Sequence, residues 1–142
     1  MISTNAAFYK LSYDPVADIQ PIILIGETGL IVASHPSVPI KSIKELIAYA
    51  KANPGKLNFG SAGTGSLPHL GAELFKLEAK VDLTHIPYKG AGPVLNALIG
   101  GETKIAFASM VPVIPHVKSG RLRGIGVTTA RRVSALPDVP TI

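Results

Sequence analysis

Two hydrophobic rhythms alternate along the chain. Short apolar runs, three to six residues long, alternate with stretches whose apolar positions recur at helical spacing. Pro21 introduces the run Ile22 to Ile25, and Leu30 to Ala33 follows after Glu27-Thr28-Gly29; the pattern predicts two strands around a Gly-containing turn. Ser42-Ile43-Lys44-Glu45 is a capping box, with Ile43, Leu46, Ile47 and Ala50 on one helical face. Asn53-Pro54-Gly55 ends that helix. Leu57 to Phe59 reads as a strand, Gly60 to Ser66 as a Gly/Ser loop, and Leu67 to Ala79 as a helix with Leu67, Leu70, Leu74 and Leu77 on a face. The rhythm repeats with a strand at Leu83 to Ile86, a loop at 87–92, and a helix at Pro93 to Ile99 closed by Gly100-Gly101. A strand at Lys104 to Phe107, a short helix at Pro112 to Lys118 and a strand at Arg123 to Thr128 complete it. Strand, loop and helix in repeated succession predict an α/β fold, a mainly parallel sheet with helices on both faces.

Length and composition narrow the class. A chain of 142 residues, 46% hydrophobic and 16% charged, suffices for one core without staples. It has no cysteine, which excludes a disulfide scaffold and a Cys-based zinc site. No apolar run has the length of a transmembrane helix. Met1 to Tyr13 lacks the basic-then-apolar order of a signal peptide. The net charge of +5 is unevenly placed: residues 103–142 carry Lys104, Lys118, Arg121, Arg123, Arg131 and Arg132 against Asp138 alone. Nucleic-acid binding is not expected, because no aromatic residue follows Phe107 in that basic third.

In parallel α/β sheets, ligands bind beyond the carboxyl ends of the strands. Loops 60–66, 87–92 and 108–112 leave such ends. The first holds three glycines, three hydroxyls and no charge. Its glycines allow close backbone approach. Ser66 at the N-cap of the next helix leaves free amides and a positive dipole end for an anion, with Ser61, Thr64 and Ser66 adding hydroxyls. A plain Gly-rich turn is the competing reading. Ser66 stands where a P-loop needs Lys, Pro68 where a dinucleotide fingerprint needs Gly, and no nucleophile elbow is present. Tyr88 and Lys89 offer a hydrogen bond and a charge, or are an ordinary loop pair. His69 lies in the first turn of the helix after Ser66, near the expected anion. His85 falls within a strand and reads as a core histidine. No histidine pair has metal-ligand spacing, so neither a metal nor a cofactor is expected, and no paired catalytic carboxylates are visible. Such a rim suits binding an anion better than transforming one.

Five stretches carry a resemblance that runs nearly the whole chain in order: Tyr13-Asp14-Pro15, Pro54 to Ser66 with Pro68-His69, His85 to Gly90, Pro115 to Arg123, and Leu136 to Thr141. Together they resemble the extracytoplasmic solute receptors of tripartite tricarboxylate transporters, the Bordetella uptake gene family. The resemblance implies a periplasmic, noncatalytic receptor that captures a small organic mono- or dicarboxylate and passes it to a membrane permease. It implies one lobe of a periplasmic-binding-protein-like (type II) fold, with a first lobe and signal peptide before Ser3 and returning helices after Ile142. On that reading residues 1–20 are a linker from the first lobe, 21–128 the ligand-binding lobe, and 129–142 a crossover back. Carried over by position, Ser61, Ala62, Gly63, Thr64, Gly65 and Ser66, with His69, would hold one ligand carboxylate, with Tyr88, Lys89 and Gly90 beside them. Ala108 and Ser109 stand where family members commonly have a cleft-facing Asp; the change removes an acceptor for a ligand amino or hydroxyl group, which implies not an amino acid but a simpler mono- or dicarboxylate, aromatic ones included. Two other readings stay open: a small-molecule enzyme using the Gly/Ser loop as an oxyanion or phosphate cradle, and a ligand-free domain that self-associates as a homo-oligomer.

Overall fold

The computed structural model describes Ala6 and residues 9–142; residues 1–5, 7 and 8 of the expected linker lie outside the described residues. Among the described residues nine elements follow one another: β1 (Leu30–Ser34), α1 (Ile43–Ala52), β2 (Asn58–Ser61), α2 (Leu67–Ala79), β3 (Thr84–Pro87), α3 (Ala91–Ile99), β4 (Ile105–Ser109), α4 (Met110–Lys118) and β5 (Arg123–Val127). The strands form one sheet in the order β3-β2-β4-β1-β5. β2 is parallel to β3 and to β4, whereas β1 is antiparallel to β4 and to β5. Four strands therefore run one way and β1 alone opposes them, so the expected mainly parallel sheet is present with one reversed strand inserted.

Strand alternation splits the core into two layers. Leu30 and Val32 of β1, with Ile105 and Phe107 of β4, face a cluster that contains Leu46 and Ala50 of α1 and Ala72 of α2. Ile31 and Ala33, with Ala106, face the opposite cluster, which contains Val94 and Leu98 of α3 and Val113 of α4. Helices thus cover both faces. Residues beyond β5 return to this second layer: Leu136 and Val139 are buried in it, and Ile142 N donates to Val127 O at 3.0 Å.

The helix starts follow their sequence signals. Glu45 N donates to Ser42 Oγ at 3.2 Å, and Glu45 Oε2 accepts from Lys41 N at 2.6 Å. The capping box forms, with its return bond one residue earlier than the usual geometry.

Two expectations are overturned. Ile22 to Ile25 is not a strand; it is exposed coil, with Ile22 at 94% and Ile25 at 96% exposure. The sheet begins only at Leu30, and the run has no strand partner among the described residues. The leucine stripe of α2 is not its packed face: Leu74 is 59% and Leu77 72% exposed. The helix instead lays Ala72, with Phe75 and Ala79, against the sheet. Gly71 permits that approach, since a Cβ there would lie 2.7 Å from Leu30 Cδ1.

Leu46 is fully buried between α1 and the sheet. Leu46→Ala is expected to lower unfolding stability by roughly 2–5 kcal/mol in urea denaturation, through lost burial and the cavity left behind.

Candidate functional site

Because β2, β3 and β4 point the same way, their carboxyl ends share one edge, and each leads into a helix N-terminus there. The loop after β2 is bound to itself. Ser61 Oγ accepts from Gly63 N at 3.2 Å, Ser66 Oγ donates to Gly63 O at 2.7 Å, and His69 N donates to Ser66 Oγ at 3.4 Å. Gly65 N donates to His69 Nδ1 at 3.2 Å. Ser66 is thus the N-cap of α2, and His69 braces the loop. Gly63 (φ 121°) and Gly65 (φ 78°) hold backbone conformations that side chains rarely adopt. With those bonds made, the amides of Ala62, Thr64 and Leu67 have no acceptor among the described residues. They are the unpaired donors of a helix N-terminus and its approach loop.

The neighbouring loop lies alongside. A Cβ on Gly63 would be 3.4 Å from Tyr88 O, and Gly90 (φ 110°) starts α3 with no side-chain cap. Lys89 is exposed and makes no ion pair among the described residues. The Tyr88 side chain goes elsewhere: it packs on the second core layer, and its hydroxyl donates to Glu102 at 2.8 Å. Burial, that bond and the Glu102 charge push the Tyr88 hydroxyl up to about 12. Tyr88 therefore offers this edge its backbone. Ala108 and Ser109 end β4, and Ser109 caps α4 without a side-chain bond. Ala62, Ala91, Ala108 and Ser109 line one cavity, so all three loops do converge.

Sequence reasoning missed the role of His85. Its Nε2 lies 2.6 Å from Ser61 Oγ, a hydrogen bond whichever atom carries the hydrogen. Its ring stacks on Phe59 at 4.9 Å and lies 4.2 Å from the His69 ring. His85 is thus the link between β3 and the Gly/Ser loop, not an isolated core residue. The available signal was register: β3 places His85 directly beside Phe59, two positions before Ser61 on the same face. Burial, followed by the neighbouring His69, drives the His85 pKa below the usual 6.5; Glu73 opposes this and Lys76 adds to it. A Ser–His pair this short suggests a nucleophile, but Ser61 is 0% exposed and cannot reach a substrate. The pair is a brace under the loop. No group of three or more potential ligands able to hold a metal occurs among the described residues, and none of their helices is long and apolar enough to cross a membrane.

An α/β lobe with helices on both faces of its sheet and helix N-termini gathered on one edge agrees with a periplasmic-binding-protein-like fold, and the solved structures match it. The family model described as tripartite tricarboxylate transporter family receptor matches residues 2–142, and the chain belongs to that family. These are transport receptors, not enzymes. The chain is 34% identical to Protein BugT of Bordetella pertussis, covering 94% of this chain and 41% of that protein. It is 41% identical to the UPF0065 protein in the gbd 5'region of Cupriavidus necator, covering 94% and 40%. Among solved structures, Rpa4515 of R. palustris with adipate superposes with a TM-score of 0.83 at 35% identity, covering 94% of this chain and 44% of that one. MatC of Rhodopseudomonas palustris with bound malate gives 0.85 at 30% identity, covering 98% and 47%. The chain spans less than half the length of each of these proteins.

The depressed His85 pKa has a definite pH consequence. Above 6.5 the ring is neutral in folded and unfolded chains alike, and the stabilisation is fully present. As pH falls below 6.5 the unfolded chain takes the proton first, and stability is lost through the folded pKa. NMR titration of the His85 ring should give a midpoint below 6.5, and the fall in Tm on acidification should be shallower in His85→Phe. A midpoint at or above 6.5 contradicts the assignment.

Proposed function

We propose that this chain is the second lobe of a periplasmic receptor that captures a small mono- or dicarboxylate for a tripartite tricarboxylate permease. One ligand carboxylate is held at the start of α2. The observation that carries the reading is the set of unpartnered amides at Ala62, Thr64 and Leu67, preorganised by the Ser61, Ser66 and His69 bonds. Backbone donors with a helix dipole behind them suit a carboxylate, and they are not reorganised when it arrives. Thr64 adds a hydroxyl, whereas the Ser66 hydroxyl is spent on Gly63 O; Lys89 supplies a long-range attraction, and Gly90 and the end of β4 at Ala108 and Ser109 flank the ligand. Relatives solved with adipate and malate support the ligand class. A receptor of two lobes, with this chain forming one, agrees with the coverage of about half of each solved relative. In that reading residues 21–128 form the ligand-binding lobe and 129–142 the crossover toward the first lobe.

An amide NMR titration of the 142-residue chain with succinate tests it. One lobe supplies only part of the contacts, so binding should saturate in the millimolar range. The shifts should centre on Ala62 to Leu67. Gly63→Val should weaken binding by about tenfold, because a β-branched residue is strained at φ 121°. Amides of that loop that stay unmoved at saturating succinate would remove the reading.

A further inference from the structure

We propose that the cavity beside the Gly/Ser loop receives an apolar end of the ligand, so that this lobe selects carboxylates carrying a short branched aliphatic chain. The inference rests on the loop acting as the carboxylate cradle, and it names which carboxylates fit. The cavity measures about 110 Å³. Val94 and Leu98 of α3 and Val113 of α4 form its walls, all three from the second core layer. Ala62, immediately after β2, lines it too, which makes the cavity continuous with the loop that would hold the carboxylate. No ionisable side chain lines it, and the one polar side chain is Ser109.

A largely apolar lining offers water few hydrogen-bond partners, so an alkyl group entering it displaces weakly held water. The volume lies below the roughly 150 Å³ of an engineered cavity that accepts benzene, which suits an isopropyl or isobutyl group. A second carboxylate placed there would lose its hydration with no charged partner to replace it, which disfavours short diacids in this pocket. The alanines at 62, 91 and 108 keep the space open; a larger side chain at any of them intrudes on it.

The test compares acetate, isobutyrate, isovalerate and succinate on the 142-residue chain, followed by amide and methyl NMR. Burial of each added carbon should tighten binding by about fourfold, so that affinity climbs from acetate to isovalerate. The methyls of Val94, Leu98 and Val113 should shift with isovalerate and not with succinate. Ala91→Leu, on an exposed first-turn position of α3, should flatten the series. A flat series in the parent chain, or silent Val94, Leu98 and Val113 methyls, overturns the inference. If succinate still shifts Ala62 to Leu67 in that case, the carboxylate cradle survives and only the aliphatic preference falls. If no carboxylate shifts that loop, both fall together.

Discussion

The common direction of β2, β3 and β4 is the constraint from which the site follows. Parallel neighbours must be joined by crossovers, and each crossover here is a helix that begins at the carboxyl end of its strand. The edge therefore collects three helix N-termini with no charged residue committed to the purpose. The reversed β1 does not disturb this, because it lies on the far side of β4 from β2 and β3. Its role is packing. All five of its residues are buried, and it supplies apolar side chains to both core layers.

The second dependency is local. The Gly/Ser loop has glycines at positive φ, and glycine brings a large unfolded-state entropy that something must oppose. Hydrogen bonds from Ser61, Ser66 and His69 do so, and His85 anchors Ser61 from the next strand. Ser61 is wholly buried, so its hydroxyl is a structural group. The same loop with an exposed serine beside a histidine would invite nucleophilic chemistry. Burial is what separates a brace from a dyad here.

How much of this could be read from the sequence depends on what each signal measures. Ser42, Ser66 and the Gly100-Gly101 pair mark helix ends because capping and αL turns are local chemistry. The helices are accordingly placed to within a residue or two. The face of α2 was not legible. Hydropathy spacing favours Leu67, Leu70, Leu74 and Leu77, but the side facing the sheet is set by how closely the backbone can approach. Gly71 and Ala72 permit that approach, while the leucines do not. Ile22 to Ile25 has strand composition and no strand partner among the described residues, and composition carries no information about partners. The loop at 60–66 was legible because glycine and hydroxyl clusters are chemically distinctive. His85 was not, because its meaning depends on the β2–β3 register, which no single segment encodes.

On the proposed reading of the Gly/Ser loop as a carboxylate cradle, its lack of charge bears on affinity. An Arg or Lys buried against the ligand carboxylate would need desolvation in the empty state and would leave an unpaired charge after release. Amides at a helix N-terminus carry only a partial charge, roughly half a unit for the whole helix end. On the proposed reading they are solvated when the site is empty and meet the anion without turning, because the loop's own bonds already hold them. Exposed Lys89 can draw an anion in through solvent without forming a buried pair. On the proposed reading as part of a carrier, which must release what it captures, a neutral, braced cradle with the solvated Lys89 nearby would meet both demands with the same residues.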